Sequence, residues 1–124
     1  MEELNKLSGE IVDSAYIVHK TLGPGLLESV YQTCLEVEMT SRGLKVESGL
    51  TVPVMYRGLR INMGYELDLL VEGQIIIELK AVTDLIPVHR AQLLTYLKLY
   101  QKKLGLLINF NVPLIKQGII RMIL

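Results

Sequence analysis

Between Gly64 and Lys80 the chain reads GYELDLLVEGQIIIELK, two runs rich in Leu, Ile and Val on either side of a Glu72-Gly73 turn signal. Large aliphatic and β-branched residues flanking such a turn predict an antiparallel hairpin inside a folded core. Asp68, Glu78 and Lys80 are set into those otherwise apolar strands. Burying three ionisable groups costs several kcal/mol unless they pair with one another or hold a metal. The hairpin therefore constrains both the fold, which must cover it, and the chemistry, which must account for its charges.

Side chains alternate along a strand, so Glu78 and Lys80 share a face. Whether Asp68 joins them depends on the turn. A strict two-residue loop at Glu72-Gly73 would set Asp68 opposite Ile77 and send the two carboxylates to opposite faces. A three-residue loop, Val71-Glu72-Gly73 with Gly73 left-handed, pairs Leu70 with Gln74 and places Asp68 diagonal to Glu78 on one face. The bulged, odd-count turn is the expectation.

The rest of the chain reads as cover for this hairpin. Apolar residues at Leu4, Leu7, Ile11, Ala15, Val18 and Leu22 follow a three-and-four spacing, the stripe of an amphipathic helix. His19 falls on its solvent side in this reading. Gly23-Pro24-Gly25 breaks the chain, and a second helix follows with Leu27, Val30, Tyr31, Cys34 and Leu35 as its buried side, Glu28 in its first turn and Gly43 as its stop. Leu50 to Tyr56 alternates as a strand, with Pro53 marking an edge or bend. Arg57-Gly58 turns the chain into a strand from Leu59 to Val71, kinked at Gly64, and the Glu78 strand runs from Gln74 to about Val82. Thr83 and Asp84 are cap-type residues, and Pro87 suits the first turn of a helix reaching Lys103, with Gly105 as its stop. Leu106 to Val112 reads as a buried strand, and GIIRMIL as a final strand or a segment covered by a partner chain. This order implies one domain over residues 1–124, an α/β sandwich with a hairpin covered on both faces.

With 124 residues, 13 basic and 13 acidic, the chain can bury one core but has no net positive field to attract nucleic acid indiscriminately. The single Cys34 excludes an intramolecular disulfide. The polar start MEELNKLSGE and the lack of a long apolar run point to a cytoplasmic protein with no membrane-spanning helix. No Cys/His cluster suggests zinc, and no GxxxxGK[ST] loop suggests nucleotide hydrolysis.

Gly25-Leu26-Leu27-Glu28-Ser29-Val30-Tyr31 together with the GPG turn, Asp68, Glu78-Leu79-Lys80, Pro87-Val88-His89-Arg90-Ala91-Gln92 and Leu106-Leu107-Ile108-Asn109-Phe110 resembles the GxxExxY proteins of the PD-(D/E)XK nuclease-like superfamily. The resemblance runs nearly end to end. It implies a restriction-endonuclease-like sandwich, a central mixed sheet with an antiparallel hairpin flanked by helices. It maps the D…ExK signature onto Asp68, Glu78 and Lys80, and a helical Glu and a Q-x-x-x-Y element onto Glu28 and Gln92 with Tyr96. Leu67 stands where the signature has proline, a departure that leaves activity open.

The implied chemistry is phosphodiester hydrolysis supported by Mg²⁺ or Mn²⁺. Asp68, Glu78 and the Leu79 carbonyl are hard oxygen ligands for such a cation, with Glu28 ligating directly or through water. Lys80 would orient water or stabilise the transition state, Gln92 would position phosphate or water, and Tyr96 would pack. Each assignment has a structural rival. Glu28 suits the positive end of a helix dipole, and Glu78 and Lys80 form a same-face ion pair as readily as a site. Three functions stand at this stage: a nuclease acting on DNA; a non-catalytic nucleic-acid-binding or protein-interaction module; and a structural homo-oligomer built on the apolar tail.

Overall fold

A computed structural model describes residues 1–124. Its elements in chain order are α1 (Glu2–Leu22), α2 (Glu28–Ser41), β1 (Val46–Thr51), β2 (Val54–Tyr56), β3 (Leu59–Ile61), β4 (Glu66–Val71), β5 (Ile75–Lys80), α3 (Pro87–Tyr100), β6 (Leu104–Asn109) and β7 (Ile119–Ile123), with a 3-10 turn at Ile115–Gly118 before the last strand. Five strands form one sheet in the order β1-β4-β5-β6-β7, while β2 and β3 make a separate two-stranded hairpin. Only β5 and β6, joined through α3, run parallel; the other neighbours in the sheet are antiparallel. No helix is long and apolar enough to cross a membrane.

Alternation along the central strands divides the core in two. Leu69, Val71, Ile75, Ile77 and Leu79 face α1 and α2, meeting Ile11, Ala15, Tyr31, Leu35 and Met39. Leu67, Leu70, Ile76 and Leu107 face α3, meeting Leu93, Tyr96 and Leu97. Each fully buried aliphatic side chain contributes about 1.5–3 kcal/mol, so a hairpin buried on both faces anchors the domain.

The hairpin turn has an odd count, but not at the expected pairing. Glu72 (φ 52°) and Gly73 (φ 63°) are both left-handed, and the Gln74 N–H donates to the Val71 carbonyl at 2.9 Å. Val71 then pairs with Ile75 and Leu70 with Ile76, which leaves Gln74 as the extra residue. A register displaced by two residues keeps every side chain on its face. Asp68 consequently lies opposite Glu78 rather than diagonal to it.

Several boundaries differ from the sequence expectation, each for a local reason. α2 begins at Glu28, with Leu27 as an extended cap residue, so the buried stripe is Tyr31, Leu35 and Met39 while Leu27 and Val30 are exposed. The expected strand Leu50–Tyr56 is two strands parted at Pro53. The expected strand Leu59–Val71 is likewise parted around Gly64, which releases β2 and β3 as their own hairpin. α3 stops at Tyr100 because Gln101 turns left-handed (φ 56°, ψ 48°). Gly105 is not the helix stop; it lies in β6 beneath Leu93, where an added Cβ would come within 2.9 Å of a Leu93 methyl. The α3 cap is Ile86 rather than Thr83 or Asp84: its N–H donates to His89 Nδ1 at 3.1 Å. His19 is buried, not solvent-facing, with Nε2 2.8 Å from the Val112 carbonyl.

Candidate active site

The ladder between β4 and β5 ends at the Leu69–Ile77 rung, although both strands continue. At the next position the carboxylates replace the backbone partners. The Asp68 N–H donates to Glu78 Oε2 at 2.9 Å, and the Leu79 N–H donates to Asp68 Oδ2 at 2.8 Å. The two carboxyl groups lie within hydrogen-bonding reach of each other. A strand residue points its N–H and C=O to the same side. The Leu79 carbonyl therefore faces the same opening, whereas Lys80 turns its own carbonyl toward β6, accepting from the Phe110 N–H at 3.0 Å.

The backbone is distorted at this level on both sides of Asp68. Leu67 and Leu70 pack toward α3 while Leu69 and Val71 pack toward α1 and α2, so strict alternation fails between Leu67 and Leu69. Across β1, Gly49 stands opposite Asp68 with φ +63°, a conformation open to glycine. Such local breaks re-aim side chains and end pairing, and here the side chain re-aimed is Asp68.

Burial sets the electrostatics. Glu78 is almost wholly buried, and its carboxyl is pushed up to about 8 by desolvation first and by the neighbouring Asp68 charge second. Asp68 is also raised by burial, with the Leu79 N–H and the Lys80 charge opposing. Two carboxyls that share so small a space cannot both ionise without a cation. Lys80 lies in the field of Glu28, Asp68 and Glu78 yet forms no ion pair within 4.0 Å; the pairs of that length are Arg42–Glu38 and Lys45–Glu47. The same-face Glu78–Lys80 ion pair entertained above does not form.

Glu28 comes from the first residue of α2 and is raised by burial, then by Asp68. It feels Asp68 without completing a three-acid site: no three Asp, Glu, His or Cys side chains are close enough to hold one metal together. The expected convergence of three acids is thus two carboxylates with a third nearby. Gln92 is half-buried on α3 beside Tyr96, and no hydrogen bond links it to either carboxylate. Tyr96 packs in the core as expected. Its hydroxyl is pushed up to about 12 by burial and by Glu78, Tyr65 and Asp68 in that order, which places it next to the site. The Leu-Leu-Glu segment is held by Tyr31, whose hydroxyl donates to the Gly23 carbonyl at 2.6 Å and accepts from the Leu26 N–H at 3.0 Å while its ring stacks on Phe110 at 4.6 Å. Gln32, one turn beyond Glu28, donates to the Asp68 carbonyl at 3.4 Å and ties α2 to β4. Sequence reasoning missed Gln32, although its spacing of four from Glu28 was the available signal.

Because Tyr31 closes the turn that starts α2, Tyr31→Phe is expected to cost about 1–3 kcal/mol in urea unfolding, the loss of a buried hydroxyl and the stranding of its partners. A surface cavity of about 490 Å³ between the end of α1, the Gly23-Pro24 turn and Pro113–Lys116 contains none of these residues.

A mixed sheet flanked by helices, with an acidic pair and a lysine where its central hairpin opens, defines a restriction-endonuclease-like domain. A family model described as the PD-(D/E)XK nuclease superfamily matches residues 5–122, and the chain belongs to that superfamily. No curated protein and no solved structure gives a significant match.

Proposed function

We propose that the protein is a divalent-metal-dependent nuclease that hydrolyses phosphodiester bonds in DNA, with its site at the open end of the β4–β5 hairpin. The observation that carries this reading is the replacement of a ladder rung by the Asp68–Glu78 pair, with Lys80 beside it and bound to no carboxylate. A structural charge cluster neutralises itself, whereas this one holds two crowded acids and an uncommitted cation.

The donor set fits Mg²⁺ or Mn²⁺: two carboxylates and a carbonyl are hard oxygen ligands, and such ions keep several waters of their own. Asp68, Glu78 and the Leu79 carbonyl would hold the ion, with Glu28 reaching it through water. When bound, the ion supplies charge neutralisation at the phosphate and a more acidic water. Lys80 orients the attacking water and stabilises charge developing on the phosphate oxygens. Gln92, beside Tyr96, positions a phosphate oxygen or water. Glu28, at the start of α2, adds a third acid close enough to feel Asp68 and Lys80.

The lack of a third close carboxylate favours one other reading, a non-catalytic module that binds nucleic acid or protein through the same opening. Assembly as a homo-oligomer is compatible with both, since β7 is an edge strand with Ile123 and Leu124 exposed. The deciding assay incubates the protein with single-stranded and duplex DNA, and with RNA, in Mg²⁺, Mn²⁺ or EDTA, beside Asp68→Asn. Metal-dependent cleavage lost in the variant is expected. Equal cleavage by both proteins would mark a contaminant, and none by either would leave the binding module.

A further inference from the structure

A cavity of about 360 Å³ lies between α3 and the β2–β3 hairpin, and its lining includes Val54, Tyr65, Val88, Gln92, Tyr96 and Leu99. That volume is in the range of small ligand pockets. The carboxylates are not part of its lining; they lie behind Tyr96, on the sheet face that packs against α3, and the Tyr96 hydroxyl feels Glu78, Tyr65 and Asp68 together. Tyr65 stands three residues before Asp68, half exposed, with its ring 6.5 Å from that of Tyr96 at 62°.

The groove continues along α3. Gln92, Tyr96 and Leu99 follow the spacing of one helix face, over about 10 Å. Leu99 also borders a shallower cavity, of about 260 Å³, whose wall carries Arg60 and Tyr100. The track thus has acids suited to a metal and phosphate at one end, two aromatic rings in an apolar slot in the middle and a guanidinium at the other end. The β2–β3 hairpin also leaves Met55, Tyr56 and Leu59 more than half exposed, apolar surface that its own packing does not use. Phosphate, base and phosphate recur in that order along a nucleic-acid strand. In a duplex the bases are stacked and paired inside, so a base can enter such a slot only from an unpaired strand or after flipping.

We propose that this groove binds a single-stranded nucleic acid, with Tyr65 and Tyr96 walling a pocket for one unpaired base next to the cleaved phosphate and Arg60 holding a neighbouring phosphate. The position of the cleaved phosphate rests on the nuclease reading; the groove itself does not.

The test measures fluorescence anisotropy of a labelled oligothymidylate and of a labelled duplex, in EDTA so that binding is separated from cleavage, with Mn²⁺-supported cleavage assayed in parallel. Tyr65→Ala is expected to weaken single-strand binding about tenfold, the loss of one base–aromatic stack, while Tyr65→Phe retains it. Thr95→Trp, at an exposed position on the pocket wall, is expected to fill the slot and weaken binding comparably, and duplex binding is expected to ignore all three changes. Single-strand binding unaffected by Tyr65→Ala and Thr95→Trp overturns the groove, even if cleavage persists and the nuclease reading stands. Binding that tracks Tyr65 without cleavage under any condition sustains the groove and removes the nuclease. A Tyr65→Ala effect on sedimentation mass instead of oligonucleotide binding also overturns the proposal, by making this face a contact between copies of the chain.

Discussion

Lys80→Ala is expected to lower metal-supported cleavage by about 10²–10³-fold, the usual consequence of removing one group aimed at developing charge, while leaving the fold intact. The side chain is half-buried and makes no ion pair within 4.0 Å, so its removal strands no partner. Its charge nevertheless lowers the carboxyls of Glu28, Asp68 and Glu78. Without it all three become harder to ionise, and the acid limb of the pH–rate profile is expected to move to higher pH. Initial rates measured across pH for wild type and variant separate the two contributions. A profile that keeps its position and height would assign Lys80 to the surface and leave the acids without their cation.

The hairpin and the shared face of Glu78 and Lys80 were legible because alternation holds along β5, whereas the break in alternation between Leu67 and Leu69 that re-aims Asp68 was not. Asp68, Glu78 and Lys80 could be placed from sequence once the turn was known to have an odd count. The exact rung was not, since Gly73 in the left-handed conformation fits more than one loop, and only the pairing of Val71 with Ile75 distinguishes them. α1 and the start of α3 were legible from a long apolar stripe and from Pro87. The division of the outer strands was not: Pro53 and Gly64 signal a bend or a break with equal force, and tertiary packing chooses. Leu27 was misplaced because a helix whose first residue is Glu28 turns the stripe toward Tyr31, Leu35 and Met39. His19 was misplaced because its partner, the Val112 carbonyl, is 93 residues away. Long separation in sequence also hides the gap between Glu28 and the carboxylate pair, which local spacing cannot measure.

In EDTA the wild-type protein is expected to lose stability as pH rises from about 5 to about 8, by about 2–4 kcal/mol. Glu78 has a folded-state value of about 8 against an ordinary 4.5, so between those values the folded chain binds a proton that the unfolded chain has released. Stability from that proton is complete below the ordinary value and disappears as pH passes through the raised one; Asp68 and Glu28, also raised, act in the same direction. Glu78→Gln removes the largest contribution while its amide oxygen still accepts the Asp68 N–H. The variant is expected to show a much flatter profile and to exceed wild type at pH 8 in urea unfolding. Mn²⁺ at pH 8 is expected to restore wild-type stability and to help the variant less, because a cation stabilises the native state in proportion to its affinity for the ionised pair. A wild-type curve that rises over the same interval would mean that Glu78 is held ionised by a fixed structural partner, and the crowded pair would then have no need of a metal.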